Sequence, residues 1–116
     1  MEIVDKIRAF GLRLLARREY SEQDFREKLL KKFPENFLII DEILAEFVTK
    51  NWLSNERFCE CFIRDQKLKK IGPLKIKQKL YEKGVGEDLF AAKILQNFSV
   101  EEQQELINYL EAKKLE

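Results

Sequence analysis

Basic side chains are the chemistry most concentrated in this sequence. Residues 64–83 hold eight lysines and arginines against two acids, a net of +6, whereas residues 84–116 hold three against seven, a net of −4. The overall charge of +1 therefore conceals a strongly polar chain. A concentration of positive charge on this scale suits phosphates or an acidic protein face. Laying the sequence over itself with a shift of 51 residues adds a second set: Arg26 falls on Lys77, Lys28 on Lys79, and Lys32 on Lys83. Lys28 and Lys32 are four residues apart, as are Lys79 and Lys83, so on a helix each pair shares one side. Arg17 and Arg18 lie near the turn that leads into the first of these helices. The competing reading of any one of these cations is an ordinary solvated helix face. Stacking of single-stranded bases is not expected, because no aromatics are interleaved on the exposed side; Tyr81 is the one candidate, and it is expected to pack at the rim of the core.

Other chemistries find no support. The chain has no histidine, which excludes Ser-His and Cys-His nucleophile pairs, histidine metal sites and the commonest general base. Cys59 and Cys61 are too close for a favourable disulfide and too few for a zinc site. They point apart on a helix, with Cys61 expected as a small buried hydrophobe. A reduced, intracellular protein is the expectation. Gly84-Val85-Gly86 lacks the third glycine and the preceding strand of a phosphate loop. Glu101-Glu102 suits a helix start better than acid–base work. Neither an enzyme nor a bound cofactor or metal is expected.

These cations must be positioned by helices. Ile3, Ile7, Phe10, Leu14 and Leu15 form one apolar face of a first helix. Ser21 reads as the N-cap of a second, with Phe25, Leu29, Leu30 and Phe33 facing in. Pro34 restarts the chain at an N1-like position, and a third helix spans roughly 35–50 with Leu38, Ile39, Ile43, Leu44, Phe47 and Val48. Ser54 or Asn55 caps a fourth, with Phe58, Cys61, Phe62 and Leu68 inside. Gly72-Pro73 opens a fifth, carrying Ile76 and Leu80 and ending at Gly84 as its C′ glycine. A sixth follows Gly86, with Leu89, Phe90, Ile94, Leu95 and Phe98. Ser99-Val100-Glu101-Glu102 fits a capping box opening a seventh, which runs through Leu106 and Leu110 towards Leu115.

The same shift of 51 places Phe25 on Ile76, Leu29 on Leu80, Ile43 on Ile94 and Phe47 on Phe98. The expected fold is therefore all-α: tandem three-helix repeats forming an elongated, curved array of about seven helices. Residues 1–53 form the first repeat, 54–98 the second, and 99–116 the first helix of an incomplete third. Trp52 falls at the junction as a structural wedge. The longest apolar run, Phe37–Ile40, is far short of the ~20 residues of a membrane span, and the charged, amphipathic start is not a signal peptide. A long surface of this kind fits a macromolecular partner better than a small substrate.

Three blocks carry a family likeness. They are Leu14-Leu15-Ala16-Arg17-Arg18-Glu19-Tyr20-Ser21 followed by Leu29 and Lys32; Trp52-Leu53-Ser54-Asn55-Glu56-Arg57-Phe58; and Gly72 through Leu80 with Lys83-Gly84-Val85. In order and spacing, over about residues 9–98, the chain resembles the RecX family. The resemblance implies a bacterial cytoplasmic regulator without a catalytic site, built of three-helix repeats. Such a protein binds the RecA filament on single-stranded DNA and damps its ATPase, recombinase and SOS co-protease activities. Asn55 stands where the family usually has Asp, and is an equally good cap. Family members commonly complete a third repeat, whereas this chain ends within or just after that repeat's first helix.

Under this reading Arg17, Arg18, Lys28, Lys32, Lys67, Lys69, Lys70, Lys75, Lys79 and Lys83 are the expected contacts to RecA or to DNA phosphates. Weak binding to single- or double-stranded DNA would accompany them. A monomer is expected, with dimerisation through the last helix as the other possibility. The alternative function is direct DNA binding by a helix-turn-helix-type pair, although no helix here is rich in the Arg, Asn and Gln that base readout uses.

Overall fold

The computed structural model describes residues 2–114, without the side chain of Lys114; Leu115, expected in the last helix, lies outside them. Among the described residues there are eight α-helices and no strand: α1 (Ile3–Arg17), α2 (Glu22–Lys32), α3 (Phe37–Thr49), α4 (Asn55–Leu68), α5 (Pro73–Glu82), α6 (Glu87–Ala92), α7 (Ile94–Asn97) and α8 (Val100–Lys114). The chain divides into two compact units, Met1–Phe58 and Cys59–Glu116. No helix of the described residues is long and apolar enough to cross a membrane.

Local chemistry sets the helix boundaries. The Ser21 hydroxyl accepts from the Asp24 N–H at 3.0 Å and Ser54 from that of Arg57 at 3.1 Å, so Ser54 is the cap of α4. Asn55 caps a different helix: its Oδ1 accepts from the Glu22 N–H, at the start of α2, at 2.8 Å. Ser99 and Glu102 exchange bonds of 2.9 and 3.2 Å in a capping box. Pro73 occupies the first turn of α5 behind Gly72. Three helices end in one motif. After α3, α4 and α5, the residues Asn51, Lys70 and Gly84 take φ of 60°, 60° and 81°. The next N–H, from Trp52, Ile71 or Val85, returns to the carbonyl of Phe47, Gln66 or Leu80 at 2.9, 3.1 and 2.9 Å.

In the first unit α1, α2 and α3 pack around Ile7, Leu14, Tyr20, Phe25, Leu29, Ile40, Ile43, Phe47 and Leu53. Gly11 lets α1 approach closely: a Cβ there would stand 2.9 Å from Phe25 Cζ and 3.3 Å from Phe47 Cε2. In the second unit α5 packs on both α6 and α8, burying Cys59, Ile63, Ile76, Leu80, Val85, Phe90, Phe98 and Leu106.

Several expectations change. Pro34 opens a turn instead of a helix: the Asn36 N–H returns to the Phe33 carbonyl at 3.1 Å, and α3 starts only at Phe37. The phase of α4 differs, so Cys59 is buried and Cys61 half-buried, while Leu68 is exposed. Leu38, Val48, Leu95 and Tyr81 are also exposed. Where one sixth helix was expected, Lys93 interrupts it, giving α6 and α7. The burial pattern shows why. Ile40 and Ile43 correspond to Phe90 and Lys93 at an offset of 50, but Phe47 corresponds to Phe98 at 51. The break at Lys93 absorbs the extra residue.

Candidate partner-binding surface

The ten expected cations fall in both units, and their surroundings differ. In the first, Lys28 and Lys32 are exposed on α2, at the edge of the face that buries Phe25 and Leu29. Lys32 Nζ lies 4.3 Å from the centre of the Phe10 ring, which holds the ammonium over an aromatic face. Arg17 ends α1 and is exposed. Arg18 lies 3.6 Å above the buried Tyr20 ring and donates to the Glu19 carbonyl at 3.1 Å. That stacking fixes its guanidinium plane at the surface. Arg57 donates to Glu19 at 2.7 Å.

In the second unit Lys67 and Lys79 are drawn into internal contacts. Lys67 donates to the Asn97 carbonyl, sits 3.6 Å from Glu102 and lies 5.3 Å from the Phe98 ring centre. Lys79 donates to Gln66 Oε1 at 3.0 Å. Gln66 is buried at the place where the first unit has Leu14, 52 positions earlier, so a polar partner is present in one unit and absent from the other. Lys83 is half-buried at the C-cap of α5. Lys69, Lys70 and Lys75 are exposed. Lys70 is the only lysine among the described residues with a positive φ, the position Gly84 fills after α5.

Other cations serve the fold. Arg26 pairs with Asp41 at 2.7 Å and Lys77 with Glu87 at 2.8 Å; each links the second helix of its unit to the third. The Arg26 hydrogen bond holds the Asp41 carboxyl below its ordinary range, and Lys77 does the same for Glu87. Lys93, only 7% exposed, donates to Glu60 at 2.8 Å, and this bond likewise lowers the Glu60 carboxyl. Glu46 accepts from Arg8 and from Lys50, the latter at 2.9 Å. Trp52 packs edge-on to Phe47 with ring centres 5.3 Å apart, and Lys50 Nζ is 4.6 Å from its ring centre. Among the described residues no group of His, Cys, Asp and Glu could hold a metal ion.

Comparison with known proteins gives this arrangement a lineage. Residues 54–93 match the family model "RecX, second three-helix domain". A protein of Actinobacillus pleuropneumoniae serotype 5b named "Regulatory protein RecX" is 42% identical over 74 residues, covering 64% of this chain and 48% of that protein. The chain belongs to the RecX family.

Two further relatives carry the same name. The Haemophilus ducreyi protein is 36% identical over 88 residues, 76% of this chain and 57% of its own length. That of Legionella pneumophila strain Corby is 37% identical over 100 residues, 85% of this chain and 62% of its own. This RecX-family chain thus spans about half the length of the curated relatives it matches first. No solved structure matches it. The matched domain covers α4, α5 and α6, and holds the exposed Lys69, Lys70 and Lys75 as well as the engaged Lys67 and Lys79.

Proposed function

We propose that this RecX-family chain is a non-enzymatic regulator that binds the RecA filament on single-stranded DNA and restrains its ATPase, recombinase and co-protease activities in the bacterial cytoplasm. The contacts are electrostatic. Arg17, Arg18, Lys28 and Lys32 serve from the first three-helix unit, and Lys69, Lys70 and Lys75 from the second. Lys67 and Lys79, bonded within the protein, and the half-buried Lys83 sit at the margin of this set.

One observation carries the reading beyond family likeness. Lys70 holds a left-handed backbone conformation at an exposed turn, although glycine would occupy that position without strain. A lysine kept there at a cost of order 1 kcal/mol suggests selection for its charge. Arg18, oriented by its stacking on Tyr20, supports the same reading.

The test follows RecA ATP hydrolysis on single-stranded DNA while the folded protein is added to stoichiometry. Slowing is the expected result. Reversing Arg17, Arg18, Lys69 and Lys70 to glutamate should abolish it, and the slowing by wild-type protein should weaken as salt rises. Unchanged hydrolysis with wild-type protein would remove this function.

A further inference from the structure

The second unit contains an open groove of about 680 Å³ between α5, the turn before α6, and α8. That volume lies within the roughly 300–1,000 Å³ of small-ligand sites. Three aromatic residues line it: the buried Phe90 and two exposed tyrosines. Tyr81 comes from α5 and is 73% exposed, and Tyr109 comes from α8 and is 44% exposed. Both rings leave accessible surface in the groove, where an occupant could stack on it. Leu74 lies on the same face of α5, one turn from the amide of Gln78. Lys75 supplies an exposed ammonium at the rim. Lys77 also lines the groove and answers its one acid, Glu87, at 2.8 Å. Cations at the rim, aromatic faces inside and an amide within reach are the groups a nucleic-acid strand requires, for its phosphates, bases and base edges respectively.

We infer that this groove is a subsite for one or two unpaired nucleotides of a single strand, with a base stacked on Tyr81 or Tyr109 and a phosphate at Lys75. The sequence pattern alone placed Tyr81 at the core rim; its exposure beside Tyr109 is what makes stacking available. The inference deepens the proposed function by giving the chain its own hold on the DNA within the filament. It rests on that reading only for the choice of polyanion.

The groove can be closed without disturbing the fold. Gly86 lines it with φ of −75°, which any residue adopts, and a Cβ there would meet nothing within 4 Å. Gly86→Glu fills the space, repels phosphate and suits the start of α6. Gly86→Ser is the matched variant that leaves the groove open.

The experiment is fluorescence anisotropy of a labelled oligothymidylate with the purified protein alone, in the absence of RecA, with circular dichroism recorded for every variant. Wild-type protein should bind, more weakly as salt rises. Tyr81→Ala should weaken binding roughly ten-fold, and Tyr81→Phe should restore it, since stacking needs the ring and not the hydroxyl. Gly86→Glu should abolish binding and Gly86→Ser retain it. Lys75→Gln should lower the slope of log affinity against log salt by about 0.7. Three results overturn the inference: no binding by folded wild-type protein at low salt, wild-type affinity in both Tyr81→Ala and Gly86→Glu, or displacement by polyglutamate as effective as by unlabelled oligothymidylate. The last would make the groove a peptide site. If RecA hydrolysis is still slowed by a protein that fails this test, the groove assignment falls and the regulatory reading stands.

Discussion

The two units follow one plan with different interiors. In the first, the inward positions of α1 and α3 are Ile7, Gly11, Leu14, Ile40, Ile43 and Phe47, all apolar, and α3 is continuous. In the second, Gln66 stands where Leu14 does and Lys93 where Ile43 does, and the third helix breaks at Lys93. Each substitution captures a polar group, Gln66 the Lys79 ammonium and Lys93 the Glu60 carboxylate. A buried ammonium carries a desolvation penalty that its bonds must offset. The second unit therefore gives up packing for polar contacts, and is expected to be the less stable of the two. The groove also lies in the second unit, which places adaptability beside the candidate site.

That contrast can be broken by measurement. The largest effect is expected in the apolar unit: Phe25→Ala should destabilise it by about 3–5 kcal/mol. Its counterpart Ile76→Ala should cost about 2–4 kcal/mol. Urea unfolding compares them, and a larger loss at Ile76 would reverse the ranking of the units. Next, Gly11→Val should cost about 1–3 kcal/mol by forcing a side chain against Phe25 and Phe47, whereas the same change at the open Gly86 should stay under about 1 kcal/mol.

Lys93→Ile makes the second interior resemble the first. We expect a gain of about 1–2 kcal/mol and a rise in far-UV helical signal as α6 and α7 join. A lower urea midpoint would show instead that the Lys93–Glu60 pair holds the unit together. Lys70→Gly should add about 0.5–1 kcal/mol of stability by relieving the left-handed lysine, while weakening the proposed restraint of RecA. Gain of both stability and inhibition would sever the link drawn between strain and function.

The smallest effect concerns pH. Lys93 holds the Glu60 carboxyl below its ordinary value of 4.5. Stabilisation from this group is complete above that value and is lost as pH falls through the lowered folded value. The stability difference between wild type and Glu60→Gln should therefore be constant near neutrality and close on acidification below 4.5.

Much of this was legible from residue types and spacing. Ser21, Gly72-Pro73, Gly84 and the Ser99–Glu102 box all mark helix ends as local rules require. Phe25, Leu29, Ile76 and Leu80 are fully buried at the shift of 51 that aligned them. The first and third helices were harder, because the shift is not constant. Ile7 and Leu14 correspond to Cys59 and Gln66 at 52, and Ile40 to Phe90 at 50. A one-residue slip turns a helix by about 100°, which is why Cys59 replaced Cys61 inside and Leu95 turned outward. The candidate site divides the same way. The ten cations could be named from charge and spacing. Which of them are bonded within the protein, as Lys67 and Lys79 are, depends on Asn97, Glu102 and Gln66, residues 13 to 35 positions away.

The sequence by itself determined the helical content, the capped helix ends at Ser21, Gly72-Pro73, Gly84 and Ser99, and the family, because capping bonds, apolar periodicity and motif order act over a few residues. Tertiary packing alone decided the phase of α4, the break at Lys93, the Asn55 bond to the start of α2, and the groove between Tyr81 and Tyr109. Each of those depends on which distant group a side chain meets, and a rotation or slip too small to alter the local pattern changes that meeting.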